Sequence, residues 1–408
     1  MEMSKSILLA TALALYSSCV AAQPSARPEE VGLDPTRLAR AGDVLEGVIA
    51  SQTSGSAVGL IARDGRIVFQ KAYGELGPGT PMPVDAIARM ASIGKTITAV
   101  AIMQLVEEGK VRLSDPVTRF IPDFLPRQVR QPDGHKGRRS PPKRAITVYD
   151  LLTHQSGLAV SGKAVDELWD TAPTTLAFSK GIAKLPLQWQ PGEGFEYGHG
   201  YEVLAAVIEK ASGVTLDQYL HDKILMPLGM TDTSFRVPPE KRHRYAGVYQ
   251  KREPSTLTLY RRNGEEEAPT RYLAGGGGLR GTVQDYFRFA QMLLNQGELG
   301  GIRILSPKSI ELITRNHVSE ILLRKAGWDE YGWGLGVSVR TSLQSGGLGS
   351  VGAFGWNGGT GTLYLVDPRE ALIVVVFIPS QPGTPGVSQA RDDFVNAAYQ
   401  AIVGIPAR

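Results

Sequence analysis

Apolar residues recur at helical spacing over residues 36 to 51, and the period then drops to two in AVGLIARDGRIVFQKAYG, where Asp64 and Gly65 separate two strand-like runs. An Asp-Gly pair between such runs is a strong hairpin signal, so a sheet begins here. A second helical pattern, amphipathic in its spacing, starts near Ser92 in ARMASIGKTITAVAIMQLVEEGKVRLSDPV. The loop LSDPVTRFIPDF follows, and ITVYDLLTHQSGL reads as a short strand leading into a helix. Helical patterns separated by Pro and Gly turns fill residues 150 to 290, among them YEVLAAVIEKASG with its terminal glycine. From about residue 345 the strand period returns in VGAFGWN, GTLYLVD and ALIVVVFIP, and DDFVNAAYQAIV closes the pattern as a helix. Both ends of the chain therefore contribute to one domain of helices and sheet, about 23–149 and 291–408, interrupted by a mostly helical insertion of about 150–290. No internal repeat, low-complexity tract or long linker breaks this outline.

Composition is that of an ordinary globular chain: 408 residues, 42% hydrophobic and 21% charged, with enough Gly and Pro for many turns. The net charge of +4 comes largely from RQVRQPDGHKGRRSPPKR, residues 127 to 144, which contains no aromatic residue. A nucleic-acid groove interleaves cations with stacking rings, so this stretch reads as a solvated surface loop and no nucleic-acid partner is expected. The first 22 residues read as a signal peptide, with Lys5, the apolar run SILLATALALYSSCV and the small residues VAA before Gln23. The run is short for a bilayer span and has no stop-transfer flank, so the expectation is export, periplasmic or secreted, with no stable membrane anchor after cleavage. A lipid-attachment box around Cys19 is the alternative, with Tyr16 poorly placed in it. Cys19 is the only cysteine. Cleavage after Ala22 leaves no thiol, which removes disulfides, a cysteine nucleophile and thiolate metal sites together.

The six histidines are scattered, with no H-E-x-x-H or comparable spacing, so no catalytic metal is expected. AGGGGLRG, residues 274 to 281, is neither a phosphate-binding loop nor a dinucleotide fingerprint, and reads as a tight turn. G-x-S-x-G is absent, so a serine enzyme here would lack the usual nucleophile elbow. Ser92 and Lys95 offer another route. Three residues apart on one helix face, they bring a hydroxyl and an amine together, and the helix N-terminus adds a partial positive charge suited to an oxyanion. Alone, such a pair is weak, because serine also favours helix starts for capping.

The surrounding segments resemble the serine β-lactamase and penicillin-binding protein superfamily, and within it the class C-like branch that includes family VIII carboxylesterases. ARMASIGKTITAVAIMQLVEEGKVRLSDPVTRFIPDF is similar to that branch's active-site helix and loop, and ITVYDLLTHQSGL to the entry of its helical domain. WQPGEGFEYGHGYEVLAAVIEKASG resembles its second motif, and AGGGGLRGTVQDYFRFAQMLLNQGEL a later helix. The resemblance covers nearly all of the mature chain. It implies an α+β fold with a central antiparallel sheet, flanking helices and an inserted helical domain. It also implies Ser92 as the nucleophile of an acyl-enzyme, Lys95 and Tyr197 sharing the base role, and an oxyanion hole from the backbone N–H groups of Ser92 and Gly359. No cofactor is implied, and the partner is a small-molecule ester or β-lactam.

Two departures from the lactamase pattern matter. Tyr197, Gly198 and His199 stand where lactamases have tyrosine, any residue, asparagine, and Trp356, Asn357 and Gly358 align with a Lys-Thr-Gly or His-Thr-Gly triplet. An indole offers an apolar face and one N–H donor but no cation for a substrate carboxylate. The expected activity is therefore a serine carboxylesterase acting on short-chain acyl esters, with weak hydrolysis of β-lactams from the shared scaffold. The alternatives are a true β-lactamase or D-alanyl-D-alanine peptidase that uses an arginine from elsewhere, an acyltransferase, and a non-catalytic sensor that traps an acyl group. Trp356 and Trp333 are candidate walls of the acyl pocket, though Trp333 also suits the core. His199 is a candidate neighbour of Lys95 or of the substrate, and His154, next to Gln155, reads as a hydrogen-bonded structural residue.

Overall fold

The computed structural model describes residues 24–125, 128–130, 139–252, 256–265, 272–344 and 347–404. The leader 1–22, with Cys19, and part of the basic stretch 127–144 lie outside the described residues.

The hairpin forms as the Asp-Gly pair dictates. Strand β1 (Ser56–Arg63) turns into β2 (Arg66–Gly77) through Asp64 and Gly65, whose φ angles of 51° and 71° are both left-handed. With β3 (Thr80–Pro81), β4 (Tyr331–Trp333), β5 (Ser338–Arg340), β6 (Phe354–Gly358), β7 (Thr362–Asp367) and β8 (Leu372–Phe377) it builds one eight-stranded sheet in the order β4-β5-β6-β7-β8-β1-β2-β3. Every neighbouring pair is antiparallel. The join between the two ends of the chain is β1 against β8, with Val58 opposite Phe377 and Leu60 opposite Val375. Strands β4 and β5 escape the periodicity reading because three residues are too few to show a period.

Alternation along β1 sends residues to both faces of the sheet. On one face, helices α1 (Pro35–Ala50) and α8 (Val387–Gln400) pack Leu38, Leu45, Phe394 and Ala398 against Ala57, Ile61, Val374 and Val376. Helix α1 starts where its cap is best: the Asp34 carboxylate accepts the Arg37 N–H at 2.8 Å, and Pro35 occupies the first turn. On the other face Val58, Leu60, Ile373 and Val375 meet α2 (Gly94–Glu107) and α7 (Val283–Leu294). Helix α7 thus lies on the sheet, although its first two turns fall inside the stretch read as the helical insertion. Helix α2 is not amphipathic as its spacing implied. It is buried from Gly94 to Met103 without a break, because the insertion covers the side that the sheet does not.

The insertion contributes α3 (Val148–Leu152), α4 (Lys163–Thr171), α5 (Thr175–Ile182) and α6 (Gly200–Ser212). The strand expected before α3 reduces to a single bridge between Pro116 and Thr147, since Thr147 caps α3 through a reciprocal bond with Asp150. Helix α6 ends at Gly213, which takes φ 82° as its left-handed cap. A hairpin of Val248–Arg252 and Thr256–Arg261 also falls within this mostly helical stretch. Among the described residues no helix is long and apolar enough to cross a membrane, and no group of three or more His, Cys, Asp or Glu is placed to hold a metal.

Candidate active site

Ser92 sits in the middle of a 3-10 turn, Ala91–Ile93, that runs directly into α2. The residue before it, Ala91, has φ 49°, a left-handed conformation that costs a non-glycine residue about 1 kcal/mol or more. The surroundings hold it there. Met90 N–H bonds to Leu279 O at 2.9 Å, and Thr362 Oγ1 donates to Met90 O at 2.7 Å. Strand β6 passes so close that a Cβ on Gly358 would lie 2.6 Å from Met90 O, which explains a glycine at that position. At the start of α2, Lys95 points back: its Nζ donates to Ser92 Oγ at 3.2 Å and to Gly276 O at 2.8 Å, with only 6% of the residue exposed.

Tyr197 approaches from the loop before α6. Its ring stands 4.7 Å from Lys95 Nζ, a cation-π distance, and its hydroxyl oxygen accepts the indole N–H of Trp356 at 3.0 Å. Gly198 N–H donates to Nδ1 of His154 at 3.2 Å, and the His154 and Tyr197 ring centres lie 4.6 Å apart, so His154 braces the tyrosine loop. Because Nδ1 accepts, the ring proton belongs on Nε2 of a neutral imidazole. Burial, with Lys95 nearby, holds the His154 pKa well below the usual histidine range. This agrees with a structural role for His154. Gln155 belongs to the same brace, with its backbone carbonyl accepting Gly192 N–H.

Trp333 and the residues aligned with the Lys-Thr-Gly triplet are placed differently from expectation. Trp333 is fully buried, donates its indole N–H to Leu152 O at 2.9 Å and packs edge-on to Trp356, with ring centres 4.7 Å apart. Both indoles stand behind Tyr197 and neither lines the cavity beside Ser92, so neither forms the wall expected of it. The pleat of β6 turns the exposed Asn357 away from Trp356, and Trp356 and Asn357 border a separate cleft with Trp328 and Leu363. Of this region only Gly359 and Thr360 reach the cavity beside Ser92. His199 does line the cavity, but its Nε2 pairs with Val160 O at 3.1 Å and not with Lys95, and burial lowers its pKa.

The cavity has a volume of about 540 Å³ and is walled by Val160, Trp169, Phe235, Tyr272, Leu273 and Pro382 around Ser92, Lys95 and Tyr197. Arg89, Arg236 and Arg280 also border it. Arg280 directs one guanidinium nitrogen to the carbonyls of Phe235 and Gly278. Sequence reasoning missed Glu202, which projects from α6 into the same cavity and is 3% exposed. A carboxylate in the apolar run YEVLAAVI was the available signal. It also treated AGGGGLRG as a plain turn, whereas Gly276 receives the lysine.

Comparison with known proteins places this geometry. A family model described as Beta-lactamase matches residues 42–398. Protein Rv1367c of Mycobacterium tuberculosis is 34% identical over 366 residues, covering 82% of this chain and 91% of that protein. Esterase EstB of Burkholderia gladioli is 30% identical over 386 residues, covering 86% of this chain and 92% of that protein. The solved structure of EstCE1, described as a hydrolase with promiscuous acyltransferase activity, superposes with a TM-score of 0.76 at 24% identity, covering 89% of this chain and 99% of that one, and shows the same fold. With its antiparallel sheet, flanking helices and serine-lysine-tyrosine cluster, the chain belongs to the beta-lactamase family of serine hydrolases.

Proposed function

We propose that this serine hydrolase is a carboxylesterase that cleaves short-chain acyl esters through a covalent intermediate on Ser92. The observation that carries the reading is the bond from Trp356 Nε1 to Tyr197 Oη. The lactamase pattern puts a lysine or a histidine at this position, and here a neutral donor spends its only N–H on the tyrosine. The strand thus supplies no cation to a substrate carboxylate, which suits a neutral ester.

In this reading Ser92 Oγ attacks the acyl carbon while its proton passes to Lys95, the group already bonded to it. The ester C–O bond breaks and the departing alkoxide takes a proton from Tyr197, whose oxygen is supported by the Trp356 N–H as negative charge develops. The backbone N–H groups of Ser92 and Gly359 form the oxyanion hole. Water, activated by the same groups, then releases the acid and regenerates Ser92. The mostly apolar wall favours acyl or alcohol parts without charge.

Three arginines on the cavity wall favour a second reading, a carboxylate-bearing substrate such as a β-lactam. The test is rapid-quench mass spectrometry with p-nitrophenyl butyrate, in water and with added methanol. The proposal expects one butyryl group on the peptide containing Ser92, followed by turnover to butyric acid. Exclusive transfer to methanol would replace the hydrolase reading with an acyltransferase, and a stable adduct without turnover would replace it with an acyl trap.

A further inference from the structure

Glu202 is held where a carboxylate is costly. It lies in α6 five residues after Tyr197, between α2 and the segment that begins at Ala274, with almost no exposure to water. Its Oε1 accepts the Gly276 N–H at 3.0 Å, and the carbonyl of the same glycine accepts Lys95 Nζ at 2.8 Å. Thr98 Oγ1 holds the preceding carbonyl, Gly275 O, at 2.7 Å. Gly276 is thereby clamped between the helix that carries Lys95 and the helix that follows Tyr197. No side chain fits in the clamp: a Cβ on Gly276 would lie 2.5 Å from Glu202 Oε1 and 3.1 Å from Lys95 Nζ.

We propose that Glu202 is a positioning residue for Lys95. Through Gly276 it fixes the lysine nitrogen beside Ser92, and its negative charge balances the positive charge that Lys95 acquires when the Ser92 proton moves to it. The inference rests on the serine-hydrolase reading only for the role of Lys95. If the clamp needed nothing more than an acceptor for one N–H, a glutamine would serve without the penalty of a buried charge. A carboxylate at this place is explained by the charge change on its neighbour.

The groups facing Glu202 are Lys95 from α2 and, from the glycine segment, the Tyr272 phenol and the N–H groups of Gly275 and Gly276. Burial outweighs the pull of Lys95 and these donors and pushes the Glu202 pKa up to about 7. The carboxylate is therefore ionised above neutrality and protonated below it. Serine reactivity should fall as pH drops through that region.

The test is the rate at which a fluorophosphonate labels Ser92, followed by mass spectrometry of the intact folded protein from about pH 5 to about pH 9. The reagent reports the nucleophile directly, whatever ester the enzyme prefers. Loss of labelling in the unaltered protein would therefore sink the Ser92 reading, whereas the Glu202 variants test the clamp alone. Glu202→Gln keeps an acceptor for Gly276 and removes the charge. It should slow labelling at alkaline pH by about 10- to 100-fold and abolish the inflection near neutrality, with no loss of melting temperature. Gly276→Ala, which leaves the carboxylate in place and wedges the clamp, should slow labelling by a similar factor while keeping an inflection. Rates within about twofold of the parent for both variants, with an unchanged pH profile, would overturn the proposal.

Discussion

Buried basic side chains occur on both faces of the sheet, and they are used differently. Beneath α1 and α8 the packing is aliphatic and aromatic, and Arg63 and Arg391 within it end mainly on backbone carbonyls, Arg63 also pairing with the Glu370 carboxylate at 3.0 Å and Arg391 donating to the Ser388 hydroxyl. Arg63 donates to the carbonyls of Val31, Gly32, Gly404 and Glu370, and Arg391 to those of Gly358 and Thr362. These arginines tie chain segments in place, and Arg391 fixes the carbonyl next to Gly359 from behind. On the opposite face Lys95 also donates to a carbonyl, but its amine reaches a serine hydroxyl as well, with Tyr197 over it and Glu202 beyond. A guanidinium, which does not give up its proton, suits the first task, and an amine, which can, suits the second. In the proposed reading one face is built for stability and the other for proton transfer.

That contrast breaks most sharply at Ser92. Ser92→Ala should lower ester turnover by about 10⁴-fold or more while leaving the melting temperature within a few degrees. Lys95→Ala and Tyr197→Phe should each lower kcat by about 10³-fold, and joining either to Ser92→Ala should add little, because the residues act as one unit. Near-parental kcat in any of these would remove that residue from the mechanism.

Phe394, fully buried under the other face, gives the converse. Phe394→Ala should cost about 3–5 kcal/mol of stability in urea unfolding and leave kcat per folded molecule unchanged. A large loss of kcat there would mean that the two faces are not separable. The smallest effect expected is that of Glu202→Gln on stability. The native Glu202 pKa, raised to about 7, exceeds that of an unfolded glutamate, so the folded protein keeps a proton that the unfolded chain has released. Stability therefore falls as pH rises from about 4.5 to about 7, by about 3 kcal/mol from this group, and the loss persists above that window. Glu202→Gln should remove the loss, being the more stable protein at alkaline pH and equal to the parent in acid. Parallel stability curves would show that no charge is buried at this position.

Local rules made part of this legible. Asp64-Gly65 announced the hairpin, strand-type runs announced β6, β7 and β8, the last an unbroken apolar run, and the three-residue spacing of Ser92 and Lys95 announced a pair that the structure sets 3.2 Å apart. What stayed hidden depends on contacts between distant residues. Gly276 is 181 positions from Lys95, and nothing in a glycine run says which carbonyl will meet an amine. The direction of an indole N–H is likewise invisible in a sequence. Trp356 was read as a pocket wall for its size, but its place in the pleat aims the ring at Tyr197, and Trp333 is drawn into the core by a single bond to Leu152. Strands β4 and β5 are too short to show a period and owe their existence to pairing, β4 with β5 and β5 with β6.

The most direct test of the central claim is parallel turnover of p-nitrophenyl butyrate and a chromogenic cephalosporin by the purified protein, with Ser92→Ala as the control. The account predicts rapid ester hydrolysis, slow or undetectable opening of the lactam, and loss of both in the control. Rapid lactam hydrolysis with little ester turnover would contradict it, and would mean that the arginines of the cavity, in place of a third-motif lysine, receive the substrate carboxylate.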